Sequence, residues 1–196
     1  QDYVDALNTF QTKGVIVWSH SNATLSNSGM YAALPELFSE LEEAWITAVN
    51  IEIDGNAGSE TYTLQSSGCG DTARYCMGGD GHNITLLANG DQYWTGGTAS
   101  GTSFVAPQIS AAVAILAEAF PNQTPEQWTD RLLASADNTW YASSGYSHDG
   151  YVDFANGVRH GYSNTVGHGI LDIYAALQPI TSSSYTASMR VANSEG

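Results

Sequence analysis

Gly96-Gly-Thr-Ala-Ser-Gly-Thr-Ser-Phe-Val-Ala-Pro107 sets a glycine-flanked serine, Ser103, directly ahead of an apolar, alanine-rich run. The run, SFVAPQISAAVAILAEA over 103–119, predicts a long helix with little polar surface, buried on most sides like a central helix of an α/β domain. Pro107 is tolerated only near the start of such a helix, where backbone N–H groups lack intrahelical partners. A serine at that start looks like a nucleophile. Its hydroxyl stays inert near neutral pH until a neighbouring base takes the proton, so the base has to be found.

Downstream, FPN closes the helix and TPEQWTDRLLASA (124–136) opens another. Thr124 is its N-cap, Pro125 occupies the first turn and Gln127 completes a capping box. Residues 138–166 read as irregular and Tyr-rich, and GHGILDIYAALQP (167–179) as a turn followed by a closing helix. The Ser-rich stretch 181–196 reads as a linker or tail. Upstream, VIVWS (15–19) and WITAVNIEID (45–54) are expected to be strands, the first a continuous apolar run of the parallel-sheet type. A short helix is expected within 34–45 and a short strand at NITLLA, 83–88. Residues 1–14 read as the second half of an amphipathic helix, with Tyr3, Ala6, Leu7 and Phe10 on one face and Gly14 as its stop. A chain that opens in this way is expected to be a piece of a longer one. Strands alternating with helices predict an α/β fold on a mainly parallel sheet.

With 196 residues, one domain is the default. Twenty acidic against five basic residues, a formal charge of −15, disfavour nucleic acid and anionic membrane surfaces as partners. No apolar run reads as long enough to span a membrane, so no membrane contact is expected of this segment. Few charges and many Gly, Ser, Thr, Asn and Tyr residues suit a secreted or cell-surface protein of bacterial type. Cys69 and Cys76, seven apart, read either as two free buried thiols or as a local disulfide formed in an oxidising compartment. The disulfide is the expectation. A zinc site is not expected, because no His cluster lies near them. Asn-x-Thr triplets begin at Asn22, Asn83 and Asn122.

Three serine chemistries can be tested on Ser103. A nucleophile elbow requires Gly two residues on, where Val105 stands; a penicillin-binding-type site requires Lys three residues on, where Ala106 stands. The third fits. GTSFVAPQISAAVAIL resembles the serine motif of the subtilisin-like proteases (subtilases), Gly-Thr-Ser-x-x-(Ala/Ser)-Pro opening a buried helix. Gly101, Thr102, Ser103, Ala106 and Pro107 match it, while Phe104 and Val105 depart from the usual smaller or methionine residues. GVIVWSHSN (14–22) resembles the strand that ends in the family's oxyanion-hole asparagine. WITAVNIEID, SSGCGDTARYC and VGHGILDIYAALQP resemble, in order, its next strand, a cysteine-bearing loop and its closing helix, closest to the autotransporter-type members, where a similar cysteine pair occurs.

The resemblance implies a three-layer sandwich, of which residues 1–180 are the C-terminal portion of a catalytic domain. It implies an endopeptidase acting on protein or peptide substrates, with Ser103 as nucleophile and Asn22 as oxyanion donor. Ser19, His20, Ser21, Gly101 and Thr102 would line the substrate, and Ser21 replaces the usual Gly. Structural calcium is implied by the family alone, since no ligand cluster is legible. One departure stands out: GGDG (78–81) replaces the usual Ala-Pro-Gly after the second cysteine, setting Asp80 and His82 beside the site. A non-catalytic, subtilase-like shell used for surface binding or display is the alternative this departure motivates.

The base is not evident. The family's His-Gly-Thr and Asp-(Ser/Thr)-Gly do not occur among these residues. The order Asp54, His82, Ser103 mimics Asp…His…Ser, but the strand ending at Asp54 already matches one that follows the oxyanion asparagine. His20 reads as part of a substrate-contacting turn, and His148, His160 and His168 as surface loop residues. The catalytic Asp and His are therefore expected upstream, in the missing N-terminal part of the same catalytic domain.

Overall fold

A computed structural model describes residues 2–82, 84, 87–89, 92–93 and 99–180. Helix α1 (Asp2–Gln11) leads into strand β1 (Ile16–Ser19), then β2 (Trp45–Asp54), β3 (Thr61–Leu64) and β4 (Cys76–Gly79). The short pair β5 (Leu87–Asn89) and β6 (Gln92–Tyr93) precedes α2 (Thr102–Ala119) and α3 (Pro125–Ser135). A hairpin of β7 (Gly150–Phe154) and β8 (Val158–Tyr162) and the short α4 (Ile173–Leu177) follow.

The sheet is built around β2, which pairs in parallel with β1 on residues 45–48 and with β4 on 47–50. Its outer end turns to antiparallel pairing with β3. This is an α/β arrangement in which both expected strands form, β1 half-buried at the side of β2 and β2 buried on both faces over most of its length. Every residue of β2 from Trp45 to Ile51 is buried. Ile46 and Ala48 join a main core with Tyr75, Met77, Ile109 and Leu116, whereas Val49 and Ile51 enter a second core with Trp140 and Val166. Burying each such aliphatic side chain is worth about 1.5–3 kcal/mol.

Several expectations are corrected. Segment 34–45 forms two 3-10 turns, Leu34–Glu36 and Ser39–Ala44, rather than one helix. In α1 the inward face is Val4 and Leu7, with Gln11 buried and donating Nε2–H to Leu41 O at 2.6 Å; Tyr3 and Phe10 are each 53% exposed. Strands β3 and β4 were not foreseen. Of the strand expected at 83–88, Leu87–Asn89 belongs to β5 and Ile84 bridges Ala99; residues 83, 85 and 86 lie outside the described residues, as does the expected tail 181–196. The hairpin replaces much of the irregular 138–166. Its turn carries Asn156-Gly157 with Gly157 at φ +73°, a conformation that favours glycine and a hairpin signal in its own right.

The cap of α3 is as read: Thr124 Oγ1 accepts from Gln127 N–H, and the Gln127 side chain accepts from Thr124 N–H. Helix α2 is less buried than expected. Val105, Ile109, Ala112 and Leu116 form one buried stripe, while Ala111, Ala114 and Ile115 are exposed. Its 18 residues, at a mean hydropathy of 1.3, do reach the length and composition of a membrane span, a correction to the reading above. The stripe packs it on the sheet, as a core helix does.

Three histidines are buried: His20, His160 and His168. The last two, expected on the surface, stack on each other with Nδ1 atoms 2.8 Å apart and so hold at most one proton between them. Each directs Nε2 at a backbone carbonyl, Ala136 O or Arg74 O. Burial lowers His20 and His168 to about 4 and His160 well below its usual value.

An unfolded histidine titrates near 6.5, so between there and about 4 the unfolded chain binds more protons than the folded one. Stability is expected to fall as pH drops through that window, by roughly 3 kcal/mol for each of His20 and His168, with His160 acting in the same direction. Asp130, raised to about 6 mainly by burial and then by Glu126, and Glu42, raised mainly by burial, act in the opposite sense, two carboxyls against three histidines. A urea midpoint that drops sharply from pH 7 to pH 4.5 is the expected result; an unchanged midpoint would contradict it.

Candidate active site

The end of β1, the turn after it and the tip of α2 meet through three linked contacts. His20 N–H donates to Ala48 O at 3.0 Å, extending the β1–β2 ladder by one residue. The Thr102 hydroxyl donates to His20 O at 2.6 Å. Thr102 N–H, an orphan donor at the helix start, donates to Asn22 Oδ1 at 2.9 Å, and that oxygen lies 3.1 Å from Thr102 Oγ1. The exposed Asn22 thus caps α2 from a different element, because the residue at the cap position, Gly101, has no side chain to do so.

Gly101 is needed here for its close approach. A Cβ on it would sit 3.0 Å from Asn22 Oδ1 and 3.1 Å from Nδ2. Its N–H bonds Gly81 O at 3.0 Å, tying the GGDG loop to the helix tip. Gln108 ties the same loop from one turn further, donating Nε2–H to Asp80 O at 2.8 Å and to Phe104 O at 2.9 Å. Pro107, lacking an N–H, leaves Ser103 O without its usual intrahelical donor.

Ser103 follows at the second helical position and is exposed. The helix N-terminus presents backbone N–H groups and a partial positive charge there. Because Asn22 Oδ1 is committed to Thr102, the amide nitrogen of Asn22 is left to donate elsewhere. An exposed hydroxyl beside such donors can form and stabilise an adduct that carries a developing negative oxygen.

The other expected contact residues differ in what they offer. Ser19, half-buried, ends β1 opposite Ala48. Ser21 is exposed and its Oγ accepts Ala23 N–H at 3.1 Å. The ring of His20 is buried between Thr72 Oγ1, at 3.1 Å from Nε2, and Ser67 Oγ, at 3.3 Å from Nδ1. What His20 presents outward is therefore not its imidazole, and its depressed pKa keeps it neutral at pH 7. Gly101 and Thr102 are buried.

Cys69 and Cys76 form a disulfide. It spans the 3-10 turn Gly70–Tyr75 and fixes the start of β4, behind the GGDG loop.

Each of the five histidines is engaged away from Ser103. His82 pairs with Glu52 and Ser100, and Asp54 lies at the exposed end of β2 with Oδ1 accepting Gly55 N–H, so Asp54, His82 and Ser103 do not assemble. His148 packs on Tyr141 and Tyr151. Among the described residues no group of three or more His, Cys, Asp or Glu side chains is placed to hold a metal ion, and calcium enters no step below. Sequence reasoning also missed Asn50. This buried amide in mid-strand holds Gly81 N–H through Oδ1 at 2.9 Å and Ser100 Oγ through Nδ2 at 3.1 Å. The signal was available, as a polar residue inside an otherwise apolar run.

Residues 1–169 match the model of the subtilase family, Peptidase S8. The chain belongs to the subtilase family. It is 31% identical over 126 residues to serotype-specific antigen 1 of Mannheimia haemolytica, covering 62% of this chain and 13% of that protein. Among solved structures, this subtilase chain is similar to one of the subtilase cytotoxin SubAB assembly, with a TM-score of 0.62 and 19% identity over 89% of this chain and 52% of that one. It is similar also to the A-subunit of the AB5 toxin from E. coli (0.60, 18%, 89% and 54%) and to sphericase (0.54, 21%, 86% and 52%). At these identities the likeness is one of fold. The subtilase chain spans about half the length of these structures.

Proposed function

We propose that these residues belong to a serine endopeptidase in which Ser103 attacks the scissile carbonyl. An upstream His takes the hydroxyl proton and an upstream Asp orients that His. The developing oxyanion is met by Ser103 N–H and Asn22 Nδ2, the acyl group rests on Ser103 Oγ, and water releases it. The observation that carries this reading is the Thr102 N–H to Asn22 Oδ1 bond. It fixes the amide at the helix tip one residue from the nucleophile. Ser19, Ser21, Gly101 and Thr102 frame the substrate there, with His20 supporting the turn from beneath.

The family membership supports peptide or protein substrates, and the names of the relatives, an antigen and two toxins, support a secreted or surface location in a bacterium. Residues 1–180 then form the C-terminal portion of the catalytic domain, completed by an N-terminal portion. The test is a fluorophosphonate probe on the full-length protein, followed by peptide mapping. Phosphonylation of Ser103 is expected; a Ser103 left unmodified under excess probe overturns the reading in favour of a non-catalytic shell.

A further inference from the structure

Outside that site lies a second serine with a base already in place. His82 Nδ1 is 3.0 Å from Ser100 Oγ, and His82 Nε2 is 3.2 Å from Glu52 Oε1. The carboxylate accepts from Nε2–H, which selects the tautomer whose Nδ1 lone pair faces the hydroxyl. Ser100 Oγ in turn receives Asn50 Nδ2–H at 3.1 Å, leaving its own proton to donate to Nδ1. Glu52 is steadied by Gln65 Nε2 on its other oxygen. Each donor has one acceptor in this chain of contacts, and Ser100 is exposed at its end.

We propose that Ser100, His82 and Glu52 form a second acyl-accepting relay, independent of Ser103. Ser100 Oγ bonds to the acyl carbon as its proton passes to Nδ1, and Glu52 stabilises the imidazolium through Nε2–H. The ester bond to the leaving group then breaks, the leaving group takes the proton from Nδ1, and water later hydrolyses the Ser100 ester. The adjacent backbone donor, Gly101 N–H, is already bonded to Gly81 O. Without that donor for the oxyanion, the relay suits activated esters rather than peptide amides.

The test uses the full-length protein carrying Ser103→Ala, treated with p-nitrophenyl acetate, with p-nitrophenol release followed and the acetylated peptide mapped. Acetylation at Ser100 is expected, lost in Ser100→Ala and slowed about 10²-fold or more in His82→Gln. Glu52→Gln, which keeps the shape of the side chain, should slow it in the same direction and serves if His82→Gln fails to fold. Acetylation confined to other residues, or an unchanged rate in a folded His82→Gln or Glu52→Gln protein, overturns the proposal. Because Ser103 is absent throughout, neither result bears on the peptidase reading.

Discussion

Ser103→Ala is expected to lower kcat on a peptide substrate by about 10⁶-fold, the order of loss known when a subtilisin loses its nucleophile. The fold should be untouched. Ser103 is exposed at the second position of α2, where alanine is the better helix former and no core contact is lost. Equal thermal midpoints for the two proteins therefore belong to the prediction, as does a KM close to that of the parent, since substrate binding does not need the hydroxyl. A variant that kept even a tenth of the parental peptidase rate would show that another group carries the chemistry. The relay at Ser100 cannot mimic that result, because it is matched to activated esters.

The second large effect is at Asn22, whose amide has two separable duties. Its oxygen caps Thr102 N–H and its nitrogen donates to the oxyanion. Asn22→Leu removes both. Loss of the donor should cost about 10²–10³ in kcat, near 3–4 kcal/mol of barrier, and loss of the cap about 1 kcal/mol of stability. Asn22→Asp restores the cap acceptor but sets a negative charge where the oxyanion develops. It should recover the stability lost in Asn22→Leu without recovering kcat. Paired urea melts and steady-state kinetics on the two variants separate these duties. If Asn22→Leu lowers stability, Asn22→Asp restores it and both leave kcat unchanged, Asn22 is only a cap.

The features legible in the sequence are those in which one local pattern answers to one physical demand. β2 was bounded correctly at 45–54 because its β-branched and aromatic residues recur through a stretch closed by the Gly55-Asn56 turn, and its first seven residues are buried. The α3 start was legible because Thr124, Pro125 and Gln127 each suit a different orphan group. β4 was not legible: Cys76-Met-Gly-Gly79 carries no strand pattern of its own and is held in the sheet by its neighbours. Its ladder with β2 and the Gly78–Gly169 and Leu171–Gly78 bonds define it.

The inward turn of His20 was hidden for a similar reason. Its partners, Ser67 and Thr72, lie far along the chain and nothing local announces them. In α1 the periodicity was right and the face wrong, because the exposed Tyr3 and Phe10 are larger than the Val4 and Leu7 that pack inward. At the candidate site, Ser103 and Asn22 could be read from motif resemblance, whereas the Asn22–Thr102 bond that joins them, 80 positions apart, needed coordinates.

The most direct measurement is a crystal structure of the full-length protein after reaction with a peptidyl phosphonate. The adduct is expected on Ser103 Oγ, with one phosphonyl oxygen about 3 Å from both Asn22 Nδ2 and Ser103 N. A phosphonyl oxygen turned away from Asn22, or an adduct formed with the peptide lying outside the β1 end and the α2 tip, would contradict the assignment of these two residues to one oxyanion site.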